Sequence, residues 1–303
     1  MPSPKTTVVR FLKTNPAFRW LNNTTFAEVT LEALNMQLPL SYRVMRLVSR
    51  SNHLRRAAIH RCSRTKRNSI QTTAQTVVPE LDVVGTVGEL NRNGFATGLV
   101  LPPAYVREIL GFCATAQFID DYSKEKLFID PDDDTTPRPG RLAYRCMNPH
   151  KLCPAVDKLT RDPALVEVAR RYLTAEPLLR SSRIFWSYPD LSDGYNPLYG
   201  FHYDIDDYKF LKLFFYLCDV DEDRGPHVII EATHNHKDWF EKNHRRMTDE
   251  QAQERYGDRI KVMLGKTGQG FFEDTFCYHK GAKPRKKRLM LEFQYAISAA
   301  AVA

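Results

Sequence analysis

The chain has 303 residues, 43% of them hydrophobic, with 17 Phe and 14 Tyr, which is enough apolar material for a packed core and excludes wholesale disorder. Its net charge is +8. No run approaches the 18 or so uninterrupted apolar residues of a membrane span, and the first 30 residues lack the apolar core of a signal peptide, so the expected setting is the cytoplasm. Six cysteines, Cys62, Cys113, Cys146, Cys153, Cys218 and Cys277, show no C-x-x-C spacing and read as reduced thiols rather than a disulfide or zinc framework.

In chain order, Phe26–Leu38 has helical character, with Thr24 or Thr25 as N-cap and Pro39 as stop. Tyr42–Cys62 reads as one amphipathic helix, because Val44, Leu47, Val48, Leu54, Ala58 and Cys62 recur at three- and four-residue steps. Its other faces hold Arg43, Arg46, Arg50, Arg55, Arg56 and Arg61, and no acidic residue occurs between Glu32 and Glu80. Two readings stay open for this segment. Its apolar stripe packs on the rest of the protein and its arginines are solvated, or the arginines meet an anionic partner: a peripheral membrane surface, an acidic carrier protein or another subunit. The absence of a recognition motif or aromatic–basic interleaving argues against nucleic acid.

Ser63–Pro79 is a polar linker, which divides the chain into a basic helical extension, 1–79, and a main domain, 80–303. Within the latter, Val84–Leu99 offers a helix and a strand, and Pro102 and Pro103 start a helix running to about Phe118. An acidic, proline-bearing loop covers Asp120–Pro139. Asp162 caps a helix over Pro163–Thr174. Strands are expected at Ile184–Tyr188, Lys209–Val220, Val228–Glu231, Ile260–Leu264, Gly270–His279 and Arg288–Ala296. Thr248-Asp-Glu-Gln251 forms a capping box for a helix from Asp249 to Tyr256, ending at Gly257 and lying in an insertion, Lys237–Asp258, between strands. Helices followed by clustered strands indicate an α+β chain built on a jelly-roll barrel.

The chemistry concentrates at His202-Tyr203-Asp204. Residues i and i+2 of an extended segment point the same way, so His202 and Asp204 can grip one ion from one strand end. A second imidazole, His279, stands in a distant strand-like run. Two imidazoles and a carboxylate are the protein ligands of a mononuclear Fe(II) site with open positions. Alternation puts Arg288, Met290, Glu292 and Gln294 on one strand face and Leu289, Leu291, Phe293 and Tyr295 on the other. Arg288 is therefore the candidate for binding a carboxylate, with Arg285 as its exposed rival. Lys212, within the apolar run Phe210–Leu217, either pairs with a substrate or co-substrate carboxylate or faces outward. Tyr203 and Tyr208 are expected to line the substrate pocket, whereas Trp186 and Trp239 are expected to pack in the core or a lid. His234-Asn-His236 is read as part of a structural turn. Asp219-x-Asp-x-Asp223 lacks the spacing of a calcium loop, and Gly265-Lys-Thr lacks that of a phosphate loop and reads as a hairpin turn.

With His202-Tyr-Asp, the run Phe210–His234, and His279-Lys-Gly with Arg288, the stretch from about Leu81 to Ala296 resembles the phytanoyl-CoA dioxygenase family of Fe(II)/2-oxoglutarate oxygenases. The resemblance implies a double-stranded β-helix (a cupin-like jelly roll) with flanking helices, and Fe(II), 2-oxoglutarate and O2 as cofactor and co-substrates. It implies His202, Asp204 and His279 as ligands and Arg288 at the 2-oxoglutarate 5-carboxylate. The implied reaction is hydroxylation of a C–H bond in a small-molecule substrate, with release of succinate and carbon dioxide. Desaturation, cyclisation or epimerisation at the same iron, or a non-catalytic module of the same fold, are the alternatives. Halogenating relatives lack the carboxylate that Asp204 supplies. Some members carry a hydroxyl residue two positions after the distal histidine; this chain has Gly281.

Overall fold

In the computed structural model, which describes residues 39–65, 68–120, 125–130, 142–190, 199–235 and 237–299, the arginine-rich stretch forms two helices, Leu40–Val48 (α1) and Asn52–Ser63 (α2). The break falls at Ser49–Ser51, where Ser51 leaves helical geometry and its hydroxyl accepts from Leu54 N at 3.4 Å, an N-cap that restarts the helix. The expected helix Phe26–Leu38, together with Lys66, Arg67 and His236, lies outside the described residues.

Next come Val83–Asn93 (α3), Phe95–Val100 (β1), Pro103–Thr115 (α4), Gln117–Asp120 (β2), Lys126–Phe128 (β3) and Ala143–Met147 (β4). Asp82 caps α3, and Gly94 ends it in the left-handed region at φ 86°. A side chain at Gly94 would meet Cys277 Sγ at 2.3 Å, so glycine is required there by space as well as by backbone angle. The α4 helix stops short of Phe118, which belongs to β2, and β3 occupies part of the stretch expected to be loop.

Helices Pro154–Thr160 (α5) and Pro163–Leu173 (α6) precede the barrel. Asp162 caps α6 as its sequence indicates, accepting from Ala164 N and Leu165 N at 2.9 and 3.1 Å. The barrel strands are Leu178–Ser187 (β5), Phe201–His202 (β6), Phe210–Tyr216 (β7), His227–Ile230 (β8), Arg246–Met247 (β9), Ile260–Met263 (β10), Gln269–Glu273 (β11), His279–Gly281 (β12) and Arg288–Ala296 (β13). Between β8 and β10 lie Trp239–Asn243 (α7) and Asp249–Tyr256 (α8), the latter with the Thr248/Gln251 capping box and Gly257 at its end.

Two antiparallel sheets result, ordered β1-β11-β7-β13-β5-β4-β2-β3 and β10-β8-β12-β6-β9. From β5 to β8 the chain alternates between the sheets, and from β10 to β13 it alternates again, so every barrel strand pairs with one distant in sequence. One expected strand is corrected here. Gly270–His279 is not continuous: β11 ends at Glu273, a tight turn follows, and His279 opens β12 in the other sheet. Likewise, Gly265-Lys-Thr is no hairpin turn but carries the chain from β10 in one sheet to β11 in the other.

Strand alternation sorts the core. Leu289, Leu291, Phe293 and Tyr295 of β13, with Leu213 and Phe215 of β7, turn outward and pack with Leu90 of α3 and Leu165 and Val168 of α6. Each such burial contributes ~1.5–3 kcal/mol. Phe214, Tyr216, Ile229, Met263, Phe271 and Met290 pack between the sheets. A further cluster on the outside of the smaller sheet joins Tyr203, Ile205 and Tyr278 to Met45 of α1.

Helices α1 and α2 dock differently from their periodicity. Val44, Leu47 and Leu54 are exposed, while Met45, Arg46 and Arg55 are buried. Arg55 lies 3.7 Å over the Phe276 ring and its Nε donates to Tyr208 O at 2.7 Å. Arg46 donates to Tyr42 Oη at 2.8 Å and to Ile205 O at 3.5 Å. Two arginines of the basic stretch thus serve the chain's own packing rather than an anionic partner. All six cysteines are free. No described helix is long and apolar enough to cross a membrane.

Candidate metal centre

The two histidines meet because β6 and β12 are neighbours and His202 and His279 are direct cross-strand partners. Their ring centroids are 4.5 Å apart. Each ring is held by the same local device: His202 Nδ1 lies 3.1 Å from Gly200 O, and His279 Nδ1 lies 3.1 Å from Cys277 O. A ring whose Nδ1–H is engaged this way keeps Nε2 unprotonated and available to a metal. Asp204 follows just past the end of β6, its backbone N donating to Thr275 O at 2.8 Å. His202 Nε2 is 4.0 Å from Asp204 Oδ1, His279 Nε2 is 3.6 Å from Asp204 Oδ2, and ligand atoms of all three lie within 4.8 Å of one another.

Electrostatics keep His202 and Asp204 in ligand form. Burial, aided by His279, pushes His202 down to about 3, so its imidazole is neutral. For Asp204, burial works toward protonation, but its basic neighbours, the Lys212 ammonium foremost, outweigh it and hold the carboxylate well below its usual range. Lys212 Nζ is 2.7 Å from Asp204 Oδ2 and 3.2 Å from Asp206 Oδ2. It therefore faces the interior of the barrel, not its outside, and the carboxylates it meets are the protein's own. Burial opposes its charge, and Asp204, Asp206 and Glu292 more than restore it, so its pKa is raised.

Arg288 also points inward, as alternation predicts. It is 7% exposed. Its guanidinium donates to Gly225 O through Nη1 and reaches Ser187 Oγ at 3.5 Å through Nη2. A side chain at Gly281 would sit 3.5 Å from Nη2, so this glycine borders the guanidinium. Arg285 is exposed and pairs with Asp223 at 3.5 Å.

Tyr203 does not line the interior. Standing between two inward-facing ligands, it turns to the opposite side, stacks edge-on to Tyr278 at 5.1 Å, and donates to Glu241 O at 3.1 Å. Tyr208 is half-buried at the seam with α2, near Cys62, and its carbonyl receives Arg55. Trp186 is buried in the helix-facing core, but Trp239 is 77% exposed and packs in no core. Thr233 bonds Ile230 O at 2.8 Å and accepts from Tyr278 N at 3.0 Å, consistent with a structural turn. Asp219 caps the turn at Thr267.

Two interior groups escape sequence reading. Glu273 is fully buried, and burial pushes its carboxyl up to about 8, so it is protonated at neutral pH. His227 stacks on His279 at 5.4 Å, and its Nε2 lies 2.6 Å from Glu273 Oε2, off the direction of a good hydrogen bond. Burial, then Arg288, pushes His227 down to about 3. The one sequence signal for Glu273 is an acid directly after Phe271-Phe272.

No protein-family model matches the chain, and no curated protein matches it by sequence. Solved structures do. The non-heme alpha ketoglutarate dependent epimerase SnoN from nogalamycin biosynthesis aligns at TM-score 0.50 and 17% identity, over 70% of this chain and 82% of that one. The fold is a double-stranded β-helix. EctD from S. alaskensis, solved with 2-oxoglutarate and 5-hydroxyectoine, aligns at TM-score 0.48 and 16% identity over 77% and 84% of the two chains. EvdO2 from Micromonospora carbonacea var. aurantiaca gives 0.49 and 15% over 73% and 93%.

Proposed function

We propose that this chain is a non-haem Fe(II)- and 2-oxoglutarate-dependent dioxygenase that hydroxylates a C–H bond of a small organic molecule, releasing succinate and carbon dioxide. The observation that carries the reading is the cross-strand pairing of His202 with His279 beside Asp204, which gathers two imidazole Nε2 atoms and a carboxylate within 4.8 Å of one another. Two nitrogens and one oxygen suit ferrous iron and leave its remaining positions free. Iron bound there supplies the activation of oxygen. The likeness of fold to an epimerase described as alpha ketoglutarate dependent supports the same cofactor pair.

The chain's own residues orient and exclude. His202 and His279, each pinned through Nδ1, present fixed Nε2 atoms. Lys212 donates to Asp204 Oδ2 at 2.7 Å and so holds in place the carboxylate that would serve as the third ligand. Arg288, inside the barrel and shielded from water, is the group to receive the distal carboxylate of 2-oxoglutarate, because a planar guanidinium matches a carboxylate bidentately. Protonated Glu273 and neutral His227 back His279 without adding charge beside the metal.

The test is aerobic incubation of the purified protein with Fe(II) and 2-oxoglutarate, following succinate. Succinate above a metal-free control is expected even without the true substrate; none would reject the assignment.

A further inference from the structure

The residues surrounding the metal centre also bear on what the proposed oxygenase accepts. Register aligns one inward row across four strands of the larger sheet: Ser181, Gln294, Lys212 and Glu273. Every member is polar. In the next row, Arg183 faces Glu292 across β5 and β13, and their side chains form an ion pair. That row continues into Phe214 and Phe271, which with Tyr216 and Met290 are each no more than 4% exposed and pack on one another, so they offer little apolar surface to a ligand. Among the described residues near Asp204, Arg183 and Asp206 keep part of their side chains open to solvent, 23% and 28%. Asp206 is tied back by Lys212 at 3.2 Å and Gln294 at 3.2 Å, so it is a fixed acceptor at the rim of the site.

Resting on the oxygenase reading, we infer that the substrate is a polyhydroxylated small molecule, held through hydroxyl groups by Arg183 and Asp206 beside the metal. An alkyl chain lying here would strip water from both groups and return no hydrogen bond, a loss of about tenfold in affinity for each. A hydroxyl both donates and accepts, so neighbouring hydroxyls satisfy the guanidinium and the carboxylate together.

The test is calorimetric titration of the full-length, metal-free protein with three polyols (an aminocyclitol glycoside, a disaccharide and a hexitol) and with decanoate and decanoyl-CoA. At least one polyol is expected to bind with Kd below about 1 mM, and neither alkyl ligand is. Arg183→Leu and Asp206→Asn, checked for folding by circular dichroism, are each expected to weaken that binding about tenfold. Binding of the alkyl ligands without the polyols overturns the inference, as does binding of none, or polyol binding unchanged in both variants. Because no turnover is read, this outcome is separate from the succinate assay, whose failure would reject the oxygenase instead.

Discussion

Asp204 and His279 are predicted to be indispensable: either one replaced by Ala should abolish 2-oxoglutarate decarboxylation, read as succinate, and an undiminished rate in Asp204→Ala would reject the metal assignment. Arg288→Ala should leave the metal site intact and raise the 2-oxoglutarate concentration needed for half-maximal rate. Asp274 acts one step removed. Its side chain accepts from Phe276 N at 2.9 Å and from Tyr172 Oη at 2.6 Å, and so fixes the turn whose Thr275 and Cys277 carbonyls receive Asp204 N and His279 Nδ1. Loss of that carboxylate in Asp274→Ala should cost about 2–3 kcal/mol in unfolding free energy. It should also weaken Fe(II) affinity at least tenfold in a metal titration, the usual size of an outer-partner effect. Affinity equal to wild type would mean that the turn holds the ligands without it. Of these residues, His202, Asp204, His279 and Arg288 are visible in sequence through residue type, i,i+2 spacing and alternation. Asp274 and His227 are not, because their importance comes from neighbours remote in the chain, and Glu273 is marked only as an acid following Phe271-Phe272.

Individual elements were readable where the signal is local. The caps of α6 and α8 follow from Asp162-Pro163 and Thr248-x-x-Gln251, since a side chain satisfying nearby backbone N–H groups needs no tertiary partner. The break between α1 and α2 and the face they bury were not readable, because Arg46 and Arg55 go inward to meet carbonyls and an aromatic ring supplied by the barrel. The turn leading into α7 holds a testable charge. Lys237 is 2% exposed, lies 4.3 to 4.9 Å from the Tyr203, Tyr278 and Phe276 rings, and donates to Thr233 O at 2.7 Å. Burial pushes its pKa down to about 8 from 10.5. Between those values the unfolded chain binds the proton more tightly, so this group's contribution to stability is full above about 10.5 and lost as pH falls through about 8. Wild type should therefore gain on Lys237→Met, by up to ~3 kcal/mol, as pH rises from 8 to 10 in denaturant titrations. A constant difference across that range would show that the surrounding rings keep the ammonium charged.

For the molecule as a unit, the barrel and helices α1 and α2 are predicted to be energetically continuous. Arg55→Ala removes a buried guanidinium from the Phe276 ring and from Tyr208 O, and should lower unfolding free energy by about 2 kcal/mol. The effect should appear as one shifted cooperative transition; an unchanged midpoint would show that the helices ride on the barrel without supporting it. By itself the sequence determined the strand-rich α+β class, most barrel strands, the capped helices and the inward face of β13, because each is written in spacing along a single segment. Tertiary structure alone decided that His279 opens a strand beside His202, that Lys212 turns inward onto Asp204, and that Tyr203 turns away. The physical reason is that pairing partners in this barrel are far apart in the chain, so which side chains share a point in space depends on register between strands and not on distance along them.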